Sequence, residues 1–137
     1  MTKRPFQIPA RPEPKPLVWI ASSKDDLCAL PKDVRRIFGF ALRTAQMGGK
    51  HLYAKPLKGF SGAGVLEVIA NDDGETFRAV YTVRLAGRIY VLDVFQKKSK
   101  TGIATPKLDI DRIKARLKLA ELDYKDWLEA SRKDKRL

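Results

Sequence analysis

The sequence is poor in the residues that most often carry chemistry. Among 137 residues there is one cysteine, Cys28, and one histidine, His51. A single thiol excludes an intramolecular disulfide, and one Cys with one His excludes the usual zinc site built from those residue types. Cys28 sits in a Leu-Cys-Ala-Leu run and reads as a small core residue. No apolar run approaches the roughly 20 residues that cross a bilayer. The opening MTKRPFQIPARPEPKP has no apolar centre of the signal-peptide kind. A cytoplasmic protein without membrane contact is expected. The glycines of GFSGAG (59–64) lack the Lys-Ser/Thr of a Walker loop, and no G-x-S-x-G nucleophile elbow occurs.

Negative charge is scarce as well. Lys and Arg number 28 against 16 Asp and Glu, a formal charge of +12. Such an excess on one small domain favours a polyanionic or acidic partner: nucleic acid, a ribosome surface, anionic lipid or an acidic protein. The length suits one domain, and the apolar content suffices for one core.

Five of the eight prolines lie at positions 5, 9, 12, 14 and 16, so residues 1–16 read as an extended basic arm. A domain over 17–128 and a charged tail over 129–137 follow. Leu17–Ile20 is a short apolar run suited to a first strand. Ser22 or Ser23 can cap a helix, with Asp25 or Asp26 completing a capping box. Pro31 opens the next helix, where Val34, Ile37, Phe38, Ala41 and Ala45 recur at helical spacing and Gly48-Gly49 stops the run. Residues 50–64 form a basic, glycine-bearing connection that holds Lys55, Lys58 and His51. Val65–Ala70 reads as a strand and Asn71–Gly74 as a turn. Near the end, Thr105 caps and Pro106 opens a helix with the stripe Ile110, Ile113, Leu117, Ala120, Tyr124 and Trp127.

The stretch at 77–101, FRAVYTVRLAGRIYVLDVFQKKSKT, predicts a hairpin turning at Ala86-Gly87. A two-residue turn would set Phe77, Ala79, Tyr81 and Val83 opposite Gln96, Val94, Leu92 and Tyr90 on a buried face. Arg78, Val80, Thr82 and Arg84 would share the other face with Phe95, Asp93, Val91 and Ile89. Arg78 would then lie diagonally between Asp93 and Lys97, roughly 7–8 Å from each in backbone terms. The expected fold is α+β: a small antiparallel sheet with helices packed on one face, the other face partly bare, and a C-terminal helix. On a bare face Arg78 can grip a phosphate with two hydrogen bonds, Lys97, Lys98 and Lys100 add charge, and Lys55 and Lys58 approach from the connection. Replacing such an exposed arginine should cost little stability, within about 1 kcal/mol.

Five segments taken together resemble the RelE/ParE toxin superfamily, in particular its HigB-like, phage-related branch. They are AKPLKG (54–59), GVLEV (64–68), FRAVYTV (77–83), IYVLDVFQKKS (89–99) and TPKLDIDRIKARL (105–117). The resemblance implies a RelE-like fold and the toxin of a type II toxin–antitoxin pair, a metal-independent and cofactor-free mRNA endonuclease that inhibits translation at the ribosome. Its partners would be the ribosome, mRNA and a cognate antitoxin of helix-turn-helix type. Arg78 would stand where the family's central-strand arginine stands, with Lys97 and Lys98 in the basic cluster after the next strand. The catalytic set is then Arg78, Lys97, Lys98 and Asp93, with phosphate contacts from Lys55, Lys58, Arg84 and Lys100. Two positions depart from the pattern: Asp93 stands where this branch often has histidine, and Glu67 where RelE-like strands often have lysine. Either carboxylate could accept the proton, or catalysis could lean on the ribosome. ParE-like members poison DNA gyrase instead, and a plain RNA-binding module is a third reading.

Overall fold

The fold was analysed in a computed structural model that describes residues 13–60, 62, 64–97 and 106–135. In chain order the elements are β1 (Leu17–Trp19), α1 (Ser23–Cys28), α2 (Lys32–Gln46), β2 (Ala54–Pro56), β3 (Val65–Asp72), β4 (Glu75–Thr82), β5 (Ile89–Lys97) and α3 (Lys107–Lys135). The strands form one sheet in the order β1-β5-β4-β3-β2, with β1 parallel to β5 and the other neighbours antiparallel. The α+β class and the C-terminal helix are therefore as the sequence implies, in a mixed sheet of five strands.

Local chemistry explains the joints. Asp73 and Gly74 both take positive φ (49° and 78°) between Asp72 and Glu75, which pair directly. That is a two-residue turn whose twist suits antiparallel strands, and Asp-Gly is a preferred sequence for it. The next connection, at 83–88, is longer than the expected two-residue turn because β4 ends at Thr82. Gly87 there has φ 90°, and a Cβ on it would come 3.3 Å from the Trp127 ring. Tyr124 donates its hydroxyl hydrogen to the Ala86 carbonyl at 2.8 Å, so the end of α3 clamps this turn.

The register is as expected from Phe77↔Gln96 through Val80↔Asp93, then shifts by one residue, so Tyr81 pairs with Val91 and Thr82 with Tyr90. Leu92 is the extra residue of a β-bulge. Such a bulge breaks strict alternation, and here Leu92 and Asp93 both face α3: Leu92 packs in the cluster with Ile113, and Asp93 meets the α3 arginines.

The expectation of one bare sheet face is corrected by this packing. Val34, Phe38, Ala41, Leu42 and Ala45 of α2 cover one face, over Phe77, Ala79, Tyr81, Val91 and Val94. Ile113 and Ala120 of α3, with Leu57 and Phe60, cover the other, over Val65, Val80, Tyr90 and Leu92. Both sides of β4 and β5 carry apolar residues, so both must be buried. The β2 strand lies within the stretch expected to be a connection, and Val83, expected in the buried stripe, is 36% exposed. Cys28 is exposed rather than in the core, because α1 has only six residues and turns Leu27 inward. Ser22 is the N-cap of α1, but its hydroxyl donates to Asp26 at 2.7 Å instead of accepting from the helix backbone.

Among the described residues the fully buried Tyr81 hydroxyl has no hydrogen-bond partner, and burial pushes its pKa from 10.0 up to about 12. An unsatisfied buried hydroxyl destabilises the fold it sits in. Tyr81→Phe should leave the melting temperature unchanged or raise it, by about 1 kcal/mol of stability at most. The sign with pH also follows. Because the folded state holds the phenol proton more tightly, stability is lost as pH rises through the interval from 10.0 to about 12. Thermal melts of both proteins at pH 8 and above would show a smaller alkaline loss in the Phe variant; equal losses would remove Tyr81 as the cause.

Candidate functional site

Among the described residues on the α3 side of the sheet, two charged groups contain the expected site residues. The first is built by three neighbouring strands. Lys55 on β2 pairs in register with Glu67 on β3, and Glu67 lies one diagonal step from Arg78 on β4. Arg78 donates through Nη1 to Glu67 Oε2 at 2.8 Å, and the Lys55 ammonium lies 3.7 Å from Glu67 Oε1. Arg78 is 1% exposed and Glu67 5%, whereas the Lys55 side chain is 52% exposed. The carboxylate thus has one oxygen held in the interior and one toward a cation at the surface. Expected to stand exposed on a bare strand face, Arg78 is instead buried and ion-paired, because Glu67 supplies the anion that makes burying a guanidinium tolerable.

The second group joins β5 to α3. Asp93, 2% exposed, receives Arg112 on Oδ2, through Nε at 2.8 Å and Nη2 at 2.7 Å, and Arg116 on Oδ1 at 2.9 Å. Arg112 also bonds Asp109 at 2.7 Å and lies over the Phe95 ring at 5.2 Å. Arg116 donates to the Leu92 carbonyl at 3.0 Å and to Ser22 at 3.3 Å. The bulge explains the carbonyl contact: the extra residue leaves the strand ladder, and a guanidinium satisfies its oxygen. Burial pushes the Asp93 carboxyl above its ordinary value, opposed by the hydrogen bond and charge of Arg112 and the charge of Arg116. Burial would lower the Arg112 guanidinium, but its hydrogen bonds to Asp93 and Asp109 outweigh that and hold it above the usual range. Both oxygens of Asp93 are engaged, which suits a structural anchor. A cleft of about 510 Å³ borders this group, with Asp26, Phe95, Pro106 and Asp109 among its walls.

The other expected residues are spread out. Lys97 ends β5 opposite Thr76, half-buried. Lys98 and Lys100 lie outside the described residues. Lys58 is exposed just beyond β2, and Arg84 is exposed at the end of β4 remote from Lys97, its Cβ packed close to Gly64. The structure brings Lys55 toward Arg78 through Glu67. Arg78 and Asp93 share a sheet face, yet each takes a different partner.

Arg112 and Arg116 are the residues that sequence reading passed over. They sit four apart on α3, beside the apolar stripe at Ile113 and Leu117. An i,i+4 pair of arginines flanking a buried stripe, with an aspartate inside an otherwise apolar strand, is the signal that could have found them.

The profile of the phage-derived Gp49-like protein family (DUF891) matches residues 25–118. The chain belongs to that family. It is a toxin-like family related to the RelE and HigB type, in agreement with the resemblance read from the five segments. The matched span contains Lys55, Glu67, Arg78, Asp93, Arg112 and Arg116, and so both charged groups. No curated protein matches the chain significantly. No helix among the described residues is long and apolar enough to cross a membrane.

Proposed function

We propose that this chain is the toxin of a type II toxin–antitoxin pair and acts as an endoribonuclease on mRNA at the ribosome, and that Glu67 is its proton acceptor. Membership of a toxin-like family supports the first part. The observation that carries the second is the 2.8 Å contact between Arg78 and Glu67, with Lys55 on the outer oxygen. A carboxylate beside two cations is what cleavage by the ribose 2′-hydroxyl asks for. Glu67 Oε1 takes the hydroxyl proton, the freed 2′-oxygen attacks the adjacent phosphorus, and the 5′-oxygen leaves with a proton from water. The products are a 2′,3′-cyclic phosphate and a new 5′-hydroxyl. Lys55, at the surface, offsets the charge that gathers on phosphorus, an effect worth about 10²–10³ in rate, while the buried Arg78 holds Glu67 in place. Asp93, the other carboxylate on this face, has both oxygens committed to arginines and serves as an anchor. Lys97 and Lys98, with Lys58, Arg84 and Lys100, are the proposed contacts of the RNA backbone. A cognate antitoxin of helix-turn-helix type restrains the toxin in the cytoplasm.

Two measurements test this. After induction in bacteria, pulse labelling should show protein synthesis collapsing before DNA synthesis; the opposite order would point to gyrase as the target. Glu67→Gln keeps an oxygen for Arg78 but cannot accept a proton, so mRNA cleavage should fall by about 10² or more. A folded Glu67→Gln protein that cuts at the wild-type rate would take Glu67 out of the chemistry.

A further inference from the structure

The outward side of α2 carries large apolar groups in water. Phe40 is 65% exposed, Met47 37%, Leu52 95% and Tyr53 62%. They form one surface because Gly48, at φ 85°, ends α2 and turns the chain back along it, with the Gly49 N–H bonded to the Thr44 carbonyl at 2.9 Å. His51 sits between two of the rings, edge-on to Phe40 at 5.4 Å and to Tyr53 at 5.2 Å between centroids. The Tyr53 backbone N–H donates to His51 Nδ1 at 3.1 Å, which fixes the loop. The patch is thus pre-shaped. Contiguous exposed apolar groups of this kind mark interaction surfaces more often than chance.

Charge limits what can cover it. Arg36, Phe40, Arg43 and Met47 succeed one another at steps of four, three and four along α2, and Lys50 adjoins the loop. All three cations are exposed, and the only acid in α2 is Asp33 in its first turn. A second copy of this chain would bring its own +12 charge, and the N-terminal stretch nearest α2, tied there through Lys15 and Gln46, is itself basic. Single-stranded RNA would gain from free aromatic faces, but here the most exposed group is an aliphatic one, Leu52.

We propose that this α2 surface docks a protein segment that is acidic and carries apolar anchors, seated on Phe40, Leu52 and Tyr53 and framed by Arg36, Arg43 and Lys50. Phe40 belongs to α2, which packs on the sheet face opposite the one that carries Glu67 and Arg78.

A random peptide library selected on the intact protein tests it. Enriched sequences should combine acidic with large apolar residues. A synthetic peptide of an enriched sequence should shift the amide resonances of Phe40, Leu52 and Tyr53, and its affinity should fall with salt. Phe40→Ser and Leu52→Glu, both at exposed positions, should each weaken it at least tenfold with an unchanged melt. Basic or neutral enriched sequences, or equal binding to the two variants, would overturn the proposal. So would an oligouridylate that moves the same resonances at lower concentration than the peptide. A dimer at micromolar protein held by this patch would assign it to a second copy instead.

Discussion

Arg78→Ala should unfold much of the protein, costing about 3–5 kcal/mol. Removing one partner of a buried ion pair strands the other charge away from water. Glu67 is 5% exposed, and without Arg78 its nearest remaining cation is Lys55 at 3.7 Å, itself half in solvent. This magnitude reverses what a bare strand face would imply, since an exposed arginine could be cut back at a cost within about 1 kcal/mol. Loss of toxicity in Arg78→Ala would therefore say little about chemistry. The informative variant replaces both partners: Arg78→Met with Glu67→Leu keeps volume and removes both charges, and such exchanges are often neutral for stability. The double variant should melt near wild type, and far above the single one, yet cut no mRNA. A single variant that melts like wild type would mean that Arg78 is not buried as described. A well-folded double variant that still cuts would clear this pair of any part in cleavage.

What the sequence can disclose ends where alternation ends. Phe77, Ala79, Gln96 and Val94 follow a strict period of two, so the first half of the β4–β5 register is legible in the residues themselves. The bulge at Leu92 has no compositional mark, because a Leu between Val91 and Asp93 looks like any strand residue. Without the bulge, Tyr81 pairs with Leu92 rather than Val91, and the strands extend toward Ala86-Gly87. The apolar stripe of α3 is equally plain, but which sheet face it covers is not. The sequence shows Val80, Ile89, Val91 and Phe95 as apolar on the side expected to be bare, so that side needs a cover too; the bulge then turns Tyr90 and Leu92 toward α3 and Ile89 and Val91 toward α2. β2 escapes notice because it has three residues and includes Pro56, which donates no hydrogen bond and suits a sheet edge. For the site, residue type is legible and partnership is not. Arg78 stands out as a strand cation, yet its anion lies across the β3 ladder on the side away from Asp93, and two equally plausible diagonals cannot be ranked without the packing of α3.

That packing makes the second large prediction. Asp93→Asn should cost about 2–4 kcal/mol, because the amide offers one acceptor oxygen where two arginines had two, and it turns an N–H toward a guanidinium. Arg116, whose side chain is 14% exposed, keeps the Leu92 carbonyl, and Arg112 keeps Asp109. The loss should therefore be local first: amides in the first turns of α3 and around the bulge should exchange faster with solvent, ahead of those in α2. Arg112→Ala should be milder, within about 1 kcal/mol, since that side chain is 37% exposed and Asp93 retains Arg116. Activity separates an anchor from a proton acceptor. Cleavage by Asp93→Asn, scaled to the folded fraction at low temperature, should match wild type, whereas Glu67→Gln, which also loses stability because it leaves the buried Arg78 charge without its anion, should fail to cut after the same scaling. If Asp93→Asn instead melts like wild type and no longer cuts, the roles of the two carboxylates are reversed: Asp93 becomes the proton acceptor and Glu67 the counter-ion that lets Arg78 be buried.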